Sequence, residues 1–381
     1  MKIAIVTLIG EFNYGNLLQS YAMQTVLQRM GHDTIILNRR PNQSLKLLFL
    51  RIFSFLKSII YRLLLNNKDV LLVNPFAENY NVRNRVDCSG LKDFVNKYLH
   101  RSHSLRSSDE MIKYVQKAQF NAYIVGSDQV WREEYTQSIE EMFLSFLPYD
   151  CKAKRIAYAA SFGTEHIPIS LNKLSICSDL LNQFNSVSVR EKSAVELCND
   201  IFGVQAVHVL DPTMLLTKDD YEAIFKSISA PKSKGTLLTY ILDNNDCIET
   251  KITFYSSVKN LVPFSVNTLE KIKSIGYSYR LPSIYTWLRG FYDAEYVITD
   301  SFHACVFSII FHKPFICIGN RNRGMSRFDS LLNMFGLEDR FVGINDMENY
   351  IEKDIDWEHI DCILTQKRTE AYHFLNQALQ N

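Results

Sequence analysis

Short β-branched runs alternate with helical stretches along this chain, and that alternation limits its fold more than any other feature. The first set of runs is Lys2–Leu8, Thr34–Leu37, Ala122–Val125, Arg155–Ser161, Ser186–Val189 and Val207–Leu210. A second set is Thr236–Leu242, Val262–Val266, Tyr296–Thr299 and Phe315–Ile318. Strands separated by helices pair in parallel through βαβ crossovers. Between the sets, Ser229–Gly235 is small and polar and contains Pro231, which reads as a linker. The expectation is an α/β protein of two Rossmann-like, doubly wound domains facing a cleft, over residues 1–228 and 236–344. Residues 345–381 are polar with a helical pattern and would pack back across the junction.

Folds of this kind often hold nucleotides, but the glycines exclude the usual phosphate loops. There are 14, and no two are separated by a single residue. The dinucleotide fingerprint G-x-G-x-x-G is therefore absent. Gly10 with Gly15, and Gly319 with Gly324, have Walker-loop spacing but are followed by Asn16 and Met325 instead of Lys. A net charge of +1 gives no basic excess for nucleic acid. The eight cysteines form no C-x-x-C and read as unpaired thiols of a cytoplasmic protein. The apolar start, Met1–Leu8, is too short for a signal peptide's core and reads as a strand. No uninterrupted apolar run of about 20 residues would span a membrane.

Residues 44–68 carry Lys46, Arg51, Lys57, Arg62 and Lys68 with no acid. At about 100° per residue the basic positions share one half of a helix with Ser54 and Ser58. The other half is apolar: Leu45, Leu48, Phe49, Ile52, Phe53, Phe55, Leu56, Ile59, Ile60 and Leu63. Such a helix packs on its own domain, lies in a membrane interface or binds a partner.

In open parallel sheets, ligands bind beyond the carboxyl ends of the strands. Four stretches stand there. Asn13-Tyr14-Gly15-Asn16 opens a helix, with Asn13 as its N-cap and Gly15 allowing close approach of a ligand. Ser127, Asp128, Gln129 and Trp131 combine hydrogen-bonding groups with a flat apolar face, which suits either a sugar site or an N-cap with a packing Trp. Arg190 follows a buried-looking strand, where its planar fork suits a carboxylate or phosphate or a structural ion pair with Glu191 or a neighbour, and Asp211 ends the next strand at the same edge. Asp300 or Ser301 would cap a helix whose first turn holds His303, where free amides favour an anion. Beyond the following strand, Arg321, Arg323 and Arg327 form a cationic loop. There is no metal-binding spacing of Cys and His, so no metal is expected. Asp354-Ile355-Asp356 mimics a metal motif but lies in the polar tail.

Taken together, these stretches resemble the polysaccharide pyruvyl transferase family. The resemblance is carried by Asn13-Tyr14-Gly15-Asn16-Leu17-Leu18-Gln19, Gly126-Ser127-Asp128-Gln129-Val130-Trp131, Ser188-Val189-Arg190-Glu191, Leu210-Asp211-Pro212-Thr213 and Thr299-Asp300-Ser301-Phe302-His303, in family order. It implies a GT-B-like fold and transfer of pyruvate from phosphoenolpyruvate to two sugar hydroxyls, without a resident cofactor. His303 and Arg190 take the family's donor-binding, catalytic roles. The family's Arg-x-His motif has Ser301 at its arginine position here, which leaves Arg321, Arg323 or Arg327 to supply the missing charge. Asn13, Tyr14, Gly15, Asn16, Ser127, Asp128, Gln129, Trp131 and Asp211 would line the cleft or meet the acceptor. The implied acceptor is a cell-envelope glycan or its lipid-linked precursor, which the 44–68 helix would help reach at the inner membrane face. A nucleotide-sugar glycosyltransferase of the same architecture and a non-catalytic glycan-assembly protein are the competing readings.

Overall fold

The computed structural model describes residues 1–8, 13–41, 45–64, 86–271, 279–319, 324–347, 350 and 353–380. Its first sheet has six strands, all parallel. Their spatial order is Asp33–Ile36, Lys2–Val6, Ala122–Val125, Lys154–Ala160, Ser186–Val189, Val207–His208. The second sheet is also parallel, in the order Phe341–Val342, Phe315–Ile318, Tyr296–Thr299, Leu237–Tyr240, Pro263–Phe264. Helices follow the strands in both, so each unit is doubly wound and Rossmann-like, and the protein is α/β and GT-B-like. Central strands such as Ala122–Val125 and Tyr296–Thr299 are buried at every residue, as parallel strands covered on both faces must be. A small mixed sheet joins Val86–Asp87, Tyr279–Arg280 and Glu270–Lys271.

The strand runs appear where the sequence places them, with ends trimmed by one or two residues in several cases. Phe341–Val342 was not anticipated, because two residues carry too little pattern to read.

One apolar core continues from the first unit into the second. Tyr14 is its joint. The ring stacks on Trp287 at 5.7 Å, and its hydroxyl donates to the Pro282 carbonyl at 2.8 Å. Tyr221 and Phe307 meet edge to face at 4.8 Å in the same seam. The tail helix Trp357–Gln380 starts against the second unit, where Trp357 stacks on His312 at 4.9 Å. It then crosses to the first, where Arg368 donates to the carbonyls of Met214 (2.6 Å) and Leu216 (2.7 Å). Asp356 caps this helix by accepting from the His359 amide at 3.0 Å.

The amphipathic helix forms over Leu45–Leu64. Phe49, Phe53, Leu56, Ile60 and Leu63 are exposed along it, alternating at spacings of four and three, so they share one face. No described helix is long and apolar enough to cross a membrane.

Candidate functional site

The first helix, Tyr14–Arg29, begins as its sequence suggests: the Asn13 side chain accepts from the Asn16 amide at 3.1 Å. Its opening turn faces the start of the Phe302–Ile310 helix from the other unit. The two meet at Gly15 and His303, so tightly that a Cβ on Gly15 would stand 2.2 Å from His303 Nδ1. Only glycine leaves room for the imidazole. Ser301 is the N-cap but makes no side-chain cap bond. Asp300 does not cap this helix either. Its carboxylate accepts from the amides of Leu242 (2.7 Å) and Asp243 (3.0 Å) and ties two strand ends together.

On the first unit, the turn after Ala122–Val125 holds Gly126 at φ +120° and Asp128 at φ +68°. A Cβ on Gly126 would meet the Tyr158 carbonyl at 2.1 Å, so this turn also needs glycine. Asp128 accepts from Asn16 Nδ2 at 3.2 Å and faces Arg190 Nη2 at 3.4 Å. Arg190 Nη1 donates to Asp211 at 2.9 Å. Asp211 is in turn held by the Ser127 hydroxyl (3.0 Å) and by the Thr213 amide and hydroxyl (3.0 and 2.7 Å). His303 Nε2 is buried without a hydrogen-bond partner, 3.9 Å from Asp211 Oδ2. Phe302 lies between two cations, with Arg190 at 4.6 Å and Arg327 at 5.8 Å from its ring centre.

Burial sets the protonation states. For His303, burial outweighs the pull of Asp211 and Asp128 and lowers the pKa below its ordinary value, so the ring is neutral at pH 7. For Asp128 and Asp211, burial acts upward, but Arg190 beside Asp128, and His303 when charged, Arg190 and the Thr213 hydrogen bonds beside Asp211, win and keep both carboxyls below the usual range. Burial and the charge of Arg190 bring Arg327 down to about 10, which leaves it protonated.

Two cavities adjoin here. One of 190 Å³ holds Gly15, Ser301, His303 and Arg327. The other, of 330 Å³, lies against the first unit and includes Asn16, Arg39, Arg40, Gln137 and Glu141. Asn13, Asp128, Gln129 and Tyr135 line both, and so form the waist between them. Among the described residues no cluster of His, Cys, Asp or Glu could hold a metal ion.

Several expected cleft residues sit behind these cavities. Trp131 is fully buried, stacked on Phe143 at 5.3 Å, and its indole N–H donates to Met142 O at 3.2 Å. It is a core residue and not a sugar platform, because the Glu140–Phe143 turn folds over it. Tyr14 is spent on the domain seam, and Ser127 and Asp211 line neither cavity. Arg190 is likewise buried behind the cavities, where its charge is matched by Asp211 and Asp128. Of the three loop arginines, Arg327 lines the smaller cavity; Arg321 and Arg323 lie outside the described residues. Arg39, Arg40, Tyr135, Gln137 and Glu141 were missed. Arg39 and Arg40 follow the Asp33–Ile36 strand, so the strand-end rule could have found them.

Two doubly wound units, joined by an apolar seam and meeting over a charged cleft, define the GT-B class. Solved structures agree on the fold. A putative UDP-N-acetylglucosamine 2-epimerase from Listeria monocytogenes is 9% identical with TM-score 0.51, over 98% of this chain and 95% of that one. The UDP-GlcNAc 2-epimerase from Methanocaldococcus jannaschii is 13% identical with TM-score 0.50, over 98% and 100%. No curated protein sequence matches the chain. The polysaccharide pyruvyl transferase family profile matches residues 13–322, and the chain belongs to that family.

Proposed function

We propose that this protein transfers pyruvate from phosphoenolpyruvate to two hydroxyls of a sugar, releasing phosphate and leaving a cyclic ketal. One arrangement carries the reading: His303 and Arg327 share a 190 Å³ cavity with Asp128 at the N-terminus of the Phe302–Ile310 helix. The helix end and Arg327 suit a small acid with a carboxylate and a phosphate. Arg327 takes the charge that Ser301 cannot supply. Arg190 acts from behind by holding Asp128 and Asp211 ionised and in place. No resident cofactor is needed, since phosphoenolpyruvate is itself the activated donor.

A proton added to the methylene carbon makes the donor's central carbon electrophilic. The first sugar hydroxyl bonds there and loses its proton. The carbon–oxygen bond to phosphate then breaks, and the second hydroxyl adds and loses its proton. One proton is taken up by carbon and two are released, one of which leaves on the phosphate. His303 is neutral at rest, and a bound phosphate would raise its pKa, so it would gain the proton that the methylene carbon needs. Asp128 is a weak base, but a hydroxyl that has added to such a carbon is strongly acidic, so a weak base suffices.

The acceptor in this reading is a polysaccharide or its lipid-linked precursor, and the protein works at the cytoplasmic face of the membrane. The exposed Phe49, Phe53, Leu56, Ile60 and Leu63 support this, because they suit an interface and share a helix that has basic residues and no acid.

The test is incubation with phosphoenolpyruvate and a lipid-linked or synthetic galactoside, with mass spectrometry of the product. Wild type should add a pyruvate ketal, and His303→Ala should not. Full activity in His303→Ala rejects its role. Turnover of a nucleotide sugar instead would favour a glycosyltransferase.

A further inference from the structure

The 330 Å³ cavity differs in chemistry from the smaller one beside it. Its wall carries planar hydrogen-bonding groups: the guanidinium groups of Arg39 and Arg40, the carboxylate of Glu141 and the amides of Asn16 and Gln137. Arg39 is held rigidly. Its Nε and Nη2 donate to the two oxygens of Glu141 at 2.8 and 3.3 Å, and Nη1 donates to the Arg40 carbonyl at 2.7 Å. The Ser108 hydroxyl fixes Glu141 further at 2.7 Å. A fork and a carboxylate locked in one plane offer adjacent donors and acceptors with little entropy left to lose. The lining holds two cations, Arg39 and Arg40, and two carboxylates, Glu141 and Asp128, so its formal charges balance.

An aromatic ring completes the wall. Tyr135 is half exposed, and Arg132 backs its ring at 4.6 Å from the centre. Aromatic rings beside planar polar groups fit a pyranose, which has an apolar C–H face and a rim of hydroxyls. The volume lies at the lower end of the range for small-molecule sites, whereas the 190 Å³ cavity is smaller still. The two meet at Asp128, so a ring in the larger cavity could turn its hydroxyls toward an acid in the smaller one.

We propose that the cavity walled by Arg39, Glu141, Gln137 and Tyr135 is the acceptor subsite, and that it takes a neutral sugar ring with its reacting hydroxyls at Asp128. This rests on the pyruvyl-transfer reading for the identity of the donor, but the cavity's preference for an uncharged polyol follows from its own wall. Arg39 with Glu141 reads adjacent hydroxyls, Gln137 adds a donor and an acceptor, and Tyr135 covers the apolar face.

Saturation-transfer NMR with methyl β-galactoside, methyl β-glucoside and methyl α-mannoside tests it. Gln137 is exposed, so Gln137→Trp fills the cavity without disturbing the core. A second variant, Tyr135→Ala, removes the ring from an exposed turn. At least one glycoside should bind wild type, and its signal should be lost in Gln137→Trp and weakened in Tyr135→Ala. Thermal stabilisation by phosphoenolpyruvate should be the same in Gln137→Trp as in wild type. No signal from any glycoside with wild type, or an equal signal with Gln137→Trp, overturns the subsite. A glycoside signal that behaves as expected, with no response to phosphoenolpyruvate in any variant, leaves the sugar site standing and rejects the donor reading instead.

Discussion

Gly15 and His303 come from different domains, yet no methyl group fits between them: a Cβ on Gly15 would stand 2.2 Å from the imidazole Nδ1. The first helix thus fixes where the histidine can be. Gly15→Ala should push the ring out of the site. Overpacking of this kind costs about 1–3 kcal/mol. Misplacing a catalytic group by about 1 Å costs about 100-fold in rate. Melting temperature and turnover, measured together, should show a small loss of the first and a large loss of the second.

His303 also ties stability to pH. Its pKa in the folded protein lies below the ordinary 6.5. Just below 6.5, the unfolded chain binds a proton that the folded one does not. Stability therefore rises with pH through that window, is fully present above it and falls as the pH drops. His208 has a lowered pKa too, so the comparison must be between wild type and His303→Gln. Urea melts across this range should give a shallower pH slope for the variant; equal slopes would mean that His303 is not buried neutral.

Arg190 and Trp131 test the distinction between lining the cleft and supporting it. Arg190→Ala leaves Asp211 buried without its cation, and removal of one partner from such a pair costs about 3–5 kcal/mol. Trp131→Ala should also cost about 3–5 kcal/mol. Trp131→Phe should leave acceptor KM unchanged, because the indole stacks on Phe143 within the core. A rise in acceptor KM at unchanged stability would return Trp131 to the sugar site.

Much of this arrangement was legible because strand ends carry their own punctuation. Val125-Gly126-Ser127 and Thr299-Asp300-Ser301 each mark the point where a buried apolar run stops, and parallel topology sends both toward the cleft. What a side chain does after that point depends on its neighbours. Trp131 reads either as a sugar platform or as a packing residue, and the Glu140–Phe143 turn that closes over it decides for packing. Arg190 reads either as a ligand-binding fork or as half of a structural ion pair, and Asp211 and Asp128 claim its charge. Tyr135 and Glu141 sit in irregular chain whose course no periodicity reveals, so their approach to Arg39 and Asp128 is a product of tertiary folding alone. The stripe from Phe49 to Leu63 was plain in the helical wheel, but its exposure was not.

That stripe makes a separate prediction. Each apolar side chain taken from water contributes about 1.5–3 kcal/mol. Wild type should float with anionic liposomes, and Phe49→Glu/Phe53→Glu should stay in solution. Equal flotation by both proteins would exclude this helix as the membrane contact.

The central claim is that the cleft holds phosphoenolpyruvate, and calorimetric titration of that acid into the protein tests it most directly. Wild type should bind it. Arg327→Ala should bind about 10- to 100-fold more weakly, the worth of about one charge-assisted hydrogen bond. Binding to wild type should also weaken as the pH rises and His303 gives up the proton that the phosphate favours. No heat with phosphoenolpyruvate, together with tight binding of a nucleotide sugar, would contradict the account.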